Sequence, residues 1–109
     1  MNIQELTAKS EEASRLLGLL ANPQRLRVLC ELHRGERSVS ALEQVVDLSQ
    51  SALSQHLAKL RAAGIVSTRR QAQTIYYSVT DSRTGKLLAV LYEMFCASPK
   101  TAAMTKRKK

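Results

Sequence analysis

Residues 48–66 read LSQSALSQHLAKLRAAGIV, and the fold turns on what this stretch forms. Leu53, Leu57 and Leu60 recur at spacings of four and three, the period of one face of an α-helix. Ser49 is a suitable N-cap for a helix over about 50–63, and Gly64 closes it. The other face carries serines, glutamines, one histidine and bases, and no acid. A surface helix usually mixes Glu with Lys. One whose outer face is all hydrogen-bonding groups and positive charge suits a polyanion that presents donors and acceptors.

Upstream, SALE at 40–43 has the form of a capping box, with Ser40 and Glu43 satisfying each other's N–H groups, and predicts a short helix over about 41–46. DLS separates it from the next helix by three or four residues, which is helix-turn-helix spacing. Further back, NP at 22–23 restarts a helix. Asn22 can cap it, and Pro23 fits the first helical position because its missing N–H has no partner there anyway. That helix reaches about His33, with Leu26, Leu29, Cys30 and His33 at helical spacing, and Gly35 ends it. Residues 4–20 predict a first helix with Leu6, Ala13, Leu16, Leu17 and Leu20 tending to one side.

Downstream the period drops to two. IVSTRRQ (65–71) and TIYYSVT (74–80) are rich in β-branched and aromatic residues and predict a two-stranded hairpin. Its QAQ turn lacks the Asn-Gly signal, so the turn type stays open. Asp81 caps a last helix over about 82–97, with Leu88, Leu91 and Phe95 on one stripe; Gly85 weakens its first turn and Pro99 stops it. The order α-α-α-α-β-β-α is mainly α with a β-hairpin wing, a winged helix-turn-helix. This pattern predicts one DNA-binding and dimerisation domain over residues 1–98 and a basic disordered tail over 99–109.

Charge supports a nucleic-acid partner. The chain of 109 residues carries 17 Lys and Arg against 9 acids, a net +8. From Leu48 to Thr80 there is no acid, while Lys59, Arg61, Arg69 and Arg70 are basic. Glu5, Glu11, Glu12, Glu31, Glu36, Glu43 and Asp47 all lie earlier. The tail adds Lys100, Lys106, Arg107, Lys108 and Lys109 with no acid, mobile counter-charge rather than a sequence reader. On a helical wheel Ser51, Gln55, Ala58 and Lys59 lie opposite the leucines, with Gln50 and Ser54 towards the flanks. Gln matches the adenine edge, Ser pairs with several bases, and Ala58 and Ala62 allow close approach. Lys59 and Arg61 can reach phosphates, and Arg69 and Arg70, beside the hairpin tip, suit phosphate or minor-groove contact. Tyr76 and Tyr77 are adjacent and face opposite sides, one towards the core and one outward.

Other classes are disfavoured. No apolar run approaches the roughly 18–20 residues of a membrane span. The polar start MNIQELTAKSEE is no signal peptide, which makes the cytoplasm the expected location. No Ser/His/Asp set, phosphate loop or carboxylate pair indicates an enzyme, and no CxxC or Cys/His cluster indicates zinc. No cofactor is expected. A chain this short buries only a small core, so a dimer would add stability.

On NPQRLRVLCEL (22–32), LSQSALSQHLAKLRAAGIV and RQAQTIYYSV (70–79), the chain resembles the ArsR-type winged-helix repressors over about residues 10–97. The resemblance implies a homodimer paired through its first and last helices. It also implies a pseudo-palindromic double-stranded DNA operator that is released on induction, and DNA contact by Gln50, Ser51, Ser54, Gln55 and His56. One metal-sensing group of the family has Cys-Val-Cys at the start of its third helix, where this chain has Ser38-Val39-Ser40. Another uses Asp and His on the last helix, which here has no histidine. Hydroxyls are poor ligands for soft metals, so no metal is expected at either place. Cys30 and Cys96 resemble in position the thiol pair of the BigR/SqrR/HlyU-type branch, which senses reactive sulfur species or oxidants. Each could instead be a small core residue. His33 could be a core or interface histidine or could lower a thiol pKa. A metal-responsive repressor with an atypical Cys30, His33 and Cys96 site, and a winged-helix binder without an inducer, are the competing readings.

Overall fold

The computed structural model describes residues 1–96. In chain order it comprises α1 (Ile3–Ala8), α2 (Ser10–Leu20), α3 (Pro23–Arg34), β1 (Arg37–Ser38), α4 (Val39–Val45), α5 (Gln50–Ala62), β2 (Val66–Gln71), β3 (Thr74–Val79) and α6 (Ser82–Phe95). The strands form one antiparallel sheet in the order β1-β3-β2. This is a winged helix-turn-helix: α4 and α5 are the helix pair and β2–β3 the wing.

The helix ends follow local chemistry. Asn22 Oδ1 accepts from the N–H groups of Gln24 and Arg25 at 3.0 and 2.9 Å, capping α3 as its sequence predicts. Ser49 Oγ accepts from Ala52 N–H at 3.1 Å and starts α5. At the other end of α5, Ile65 N–H donates to Leu60 O and Gly64 N–H to Arg61 O, both at 3.0 Å. That is the Schellman pattern, and it needs the left-handed φ of +78° that Gly64 adopts without a Cβ clash. Asp81 caps α6 by accepting from the N–H and the hydroxyl of Thr84 at 2.9 and 2.7 Å.

Several expectations are corrected. The single helix over 4–20 is two helices that meet at Lys9, whose φ of −102° and ψ of 13° are not helical. There the Ser10 hydroxyl donates to Thr7 O at 2.8 Å, and Lys9 N–H turns to Leu6 O at 3.0 Å, so the ladder is interrupted. The capping box at Ser40 is displaced: Ser38 caps α4, its Oγ accepting from Ala41 N–H at 3.1 Å, and Ser40 lies in the first turn. The cause is β1, a strand that the sequence did not suggest. Pairing of Arg37 with Tyr77 and Ser38 with Tyr76 holds Ser38 extended, which is the N-cap conformation. The wing is therefore three-stranded. Its two-residue turn, Ala72–Gln73, places Ala72 at φ +55°, in keeping with the primed hairpin turns. The stripe expected on the last helix is present, with Leu88, Leu91 and Phe95 lining one cavity, and it runs from the core to the surface: Leu88 is buried and Phe95 is 74% exposed. The last residue expected in that helix, its stop at Pro99 and the tail 99–109 lie outside the described residues.

The core joins α2 to α6. Leu20, Leu29, Leu42, Leu53, Leu57, Leu60, Ile65 and Leu88 are all at most 6% exposed. Each such side chain contributes about 1.5–3 kcal/mol when taken out of water. Tyr77 packs against this cluster. Arg25 fixes the α2–α3 corner, its Nε donating to Leu19 O at 2.7 Å. Among the described residues no helix is long and apolar enough to cross a membrane.

Candidate nucleic-acid interface and thiol site

The three leucines that hold α5 are 0%, 1% and 0% exposed, so the helix has one rotational setting. That setting turns Gln50, Ser51, Ser54, Gln55, Ala58, Lys59, Arg61 and Ala62 outward. The division expected from the helical wheel is present in space. Between α5 and the wing runs a groove of about 440 Å³, lined among others by Ser54, Ala58, Arg61, Ala62 and Tyr77. Lys59, Arg61 and Arg70 make no ion pair among the described residues. Arg70 Nε donates to Ala72 O at 3.2 Å, at the wing tip.

His56 and Arg69 differ from the rest. His56 is half-buried, and its Nε2 lies 3.2 Å from Gln24 Oε1 on α3. An amide oxygen only accepts, so Nε2 carries the hydrogen and donates. Burial, then the Arg25 and Lys59 charges, push the imidazole pKa below its usual value, which keeps the ring neutral at pH 7. Arg69 is paired with Glu36: Nε donates to Oε2 and a terminal nitrogen to Oε1, each at 2.9 Å. Its guanidinium also lies 4.7 Å from the centroid of the Tyr76 ring. The hydrogen bond from Arg69 holds the Glu36 carboxyl below the ordinary range. Gln24 and Glu36 escaped the sequence reading because each meets its partner more than 30 positions away, with no local pattern to mark it.

The two cysteines are free and exposed. They line one apolar cavity of about 260 Å³ between α3 and α6, together with Leu26, Leu88, Leu91, Tyr92 and Phe95. Neither is the fully buried core residue that cysteine often is. Burial raises the Cys30 pKa, and the nearby Cys96 and Glu31 raise it further, so Cys30 is a thiol at neutral pH. Cys96 caps α6, its N–H donating to Tyr92 O at 2.7 Å. His33 is exposed rather than in the core, and a Cβ on Gly85 of α6 would sit 3.7 Å from its ring. Among the described residues no group of three His, Cys, Asp or Glu converges as a metal site; Cys30, His33 and Cys96 are among those described.

Known proteins share this fold and much of this sequence. A profile of the bacterial regulatory protein arsR family matches residues 22–68, from Asn22 through α5 into β2. The transcriptional activator HlyU of Vibrio cholerae is 44% identical over 96 residues, covering 88% of this chain and 89% of that protein. The biofilm growth-associated repressor of Xylella fastidiosa strain 9a5c is 40% identical over 102 residues, 94% of this chain and 90% of that one. The crystal structure of the transcriptional repressor BigR from Xylella fastidiosa superposes with a TM-score of 0.84 at 40% identity, covering 90% of this chain and all of that one. These relatives are regulators of transcription and not enzymes. With its outward polar helix, its wing and relatives alike over nearly their full length, the chain belongs to the ArsR family of winged helix-turn-helix, DNA-binding transcriptional regulators.

Proposed function

We propose that the chain is a homodimeric repressor that leaves a pseudo-palindromic operator when a reactive sulfur species or an oxidant joins Cys30 to Cys96. In this reading α5 enters the major groove. Gln50, Ser51, Ser54 and Gln55 face base edges, and Lys59 and Arg70 face phosphates. His56 contacts DNA from the flank, where Gln24 steadies it. The protein works in the cytoplasm, where its DNA is.

The observation that carries the switch is the shared cavity: two free thiols, from helices far apart in sequence, line one apolar space. Cys96, as thiolate, attacks the outer sulfur of a persulfide RSSH, releasing RS⁻ and becoming Cys96–S–SH. Cys30 then gives up its proton and attacks the Cys96 sulfur, forming the disulfide and releasing HS⁻. With peroxide, Cys96 becomes a sulfenic acid and water leaves when Cys30 condenses with it. If a second persulfide adds sulfur before closure, a longer polysulfide bridge results. Either link ties α6 to α3. The first turn of α3 carries Gln24, the hydrogen-bond partner of His56 on α5, so a shift of α3 reaches the recognition helix directly. A coupling of about 1–3 kcal/mol, roughly 5–150-fold in affinity, is sufficient.

Cys30→Ser and Cys96→Ser should each bind operator like the reduced wild type and stay bound after persulfide or peroxide treatment. Mass spectrometry of the treated wild type distinguishes disulfide from polysulfide. Release of DNA by the doubly substituted protein under the same treatment would sink the switch. A wild type that never lets go would favour a DNA binder without an inducer.

A further inference from the structure

We propose that Arg69 is a positioning residue, a clamp that fixes the wing through Glu36 and Tyr76, and that Arg70 is the member of this arginine pair that meets the phosphate backbone. The proposal rests on the wing lying against DNA, as the preceding reading has it.

Adjacent residues of a strand point to opposite faces, so Arg69 and Arg70 do not act on the same surface. Arg69 stands directly across from Tyr76 on β3, and its guanidinium rests on that ring, 4.7 Å from the centroid. Glu36 comes from the far side of the sheet. It immediately precedes β1, which pairs with β3 on the edge opposite β2. The Glu36–Arg69 pair thus spans all three strands, with the Tyr76 ring against it. All three guanidinium nitrogens are engaged: two donate to the Glu36 oxygens at 2.9 Å, and the third to Gln71 Oε1 at 3.0 Å. Parallel donation by a planar fork to both carboxylate oxygens is a geometry that lysine cannot reproduce.

The wing needs such a tie. A two-stranded hairpin by itself is marginal in water. Its distal half has no core beneath it: Ile75 is 39% exposed, and the turn puts Ala72, a residue with a Cβ, at φ +55°. Beyond Tyr76, β1 no longer pairs with β3. The clamp grips β2 at Arg69, level with that last pair, and ties it to the α3–β1 turn, and so to the helix-turn-helix, just where the distal half of the hairpin leaves its third strand.

Charge gives a second, independent reason. A guanidinium already neutralised by a carboxylate releases few counterions on binding DNA. Moving it to a phosphate would leave the Glu36 carboxylate unpaired beside the polyanion. Arg70 carries no such partner among the described residues.

The test compares Arg69→Lys, Arg69→Gln, Glu36→Gln, the swapped pair Glu36→Arg with Arg69→Glu, and Arg70→Ala. Operator affinity is measured against salt, and hydrogen exchange reports on the β3 amides. With the clamp, Arg69→Lys behaves like Arg69→Gln, and Glu36→Gln weakens operator binding although it removes a negative charge. Each loss is about three- to fivefold, the scale of a surface pair. The salt slope holds, β3 exchanges faster, and the swapped pair recovers most of the affinity. Arg70→Ala lowers the slope by roughly one. The clamp is overturned if Arg69→Lys retains full affinity while Arg69→Gln loses a unit of slope, if Glu36→Gln binds as well as or better than wild type, or if the swap restores nothing. An unchanged slope for Arg70→Ala takes the wing off the DNA and overturns the reading beneath it, an outcome that the Arg69 variants do not mimic.

Discussion

At the scale of single residues, the face of α5 carries two kinds of contact that the residue types already distinguish in the sequence. Gln55 is exposed and bidentate, suited to reading a base edge, whereas Lys59 is an exposed charge on a flexible stem. Gln55→Ala should therefore cost roughly 1–3 kcal/mol at the operator and relax specificity. Lys59→Ala should weaken all sequences alike and lower the salt slope by roughly one. Fluorescence anisotropy on specific and scrambled duplexes, each over a salt series, checks both. If Gln55→Ala leaves the specific-to-scrambled ratio intact, α5 is placed wrongly. The outward set on this helix was legible in the sequence, because three leucines fix which way the rest must point. The tie of His56 to Gln24 was not, since nothing local to His56 predicts a partner 32 positions away.

At the scale of elements, α6 depends on its cap. Burial pushes the Asp81 pKa up, but the hydrogen bonds from the Thr84 hydroxyl and N–H, together with Arg83, outweigh it, and the carboxyl ends below the ordinary value. Thr84 is fully buried, and its hydroxyl donates to this carboxylate. A depressed carboxyl pKa stabilises the fold fully above the unfolded value, about 3.9, and the contribution fades as pH falls through the lowered native value. Asp81→Ala should thus cost about 1–2 kcal/mol at pH 7 from the lost cap. The gap to wild type should narrow below about pH 4. Urea unfolding at pH 7 and in the acid range measures this; a gap that widens in acid would contradict the assignment. This cap, like those at Asn22 and Ser49, was readable from sequence because a cap and its partner lie within three residues.

At the scale of the whole molecule, two apolar surfaces have no cover among the described residues. Ile3, Leu6 and Leu17 of α1 and α2, and Val90, Tyr92, Met94 and Phe95 of α6, are each about half exposed or more. They are the helices that the family resemblance assigns to dimerisation. A symmetric dimer formed there would set the two α5 helices about one DNA turn, roughly 34 Å, apart. It would also make α6 the element through which a thiol bridge alters that spacing. Leu6→Glu combined with Met94→Glu should shift the protein to monomer in light scattering at micromolar concentration and reduce operator affinity, with circular dichroism unchanged. A wild type that is monomeric under the same conditions would refute this arrangement.

By itself the sequence determined what short-range chemistry governs: the helix within 48–66 and its buried side, the caps, the Gly64 stop, the hairpin and the acid-free stretch. Periodicity and capping act within a turn or two of chain, so they are written where they act. The tertiary structure decided what depends on partners brought from afar. A two-residue strand has no period to read, and β1 exists only because β3 pairs with it, which in turn moved the start of α4 from Ser40 to Ser38. Glu36 joins an acid to a stretch of sequence that contains none, and so changes what Arg69 can do. The cysteines, 66 positions apart, share a cavity because α3 and α6 pack together. Contact across that distance is fixed by how the helices bury their leucines, and no local pattern encodes it.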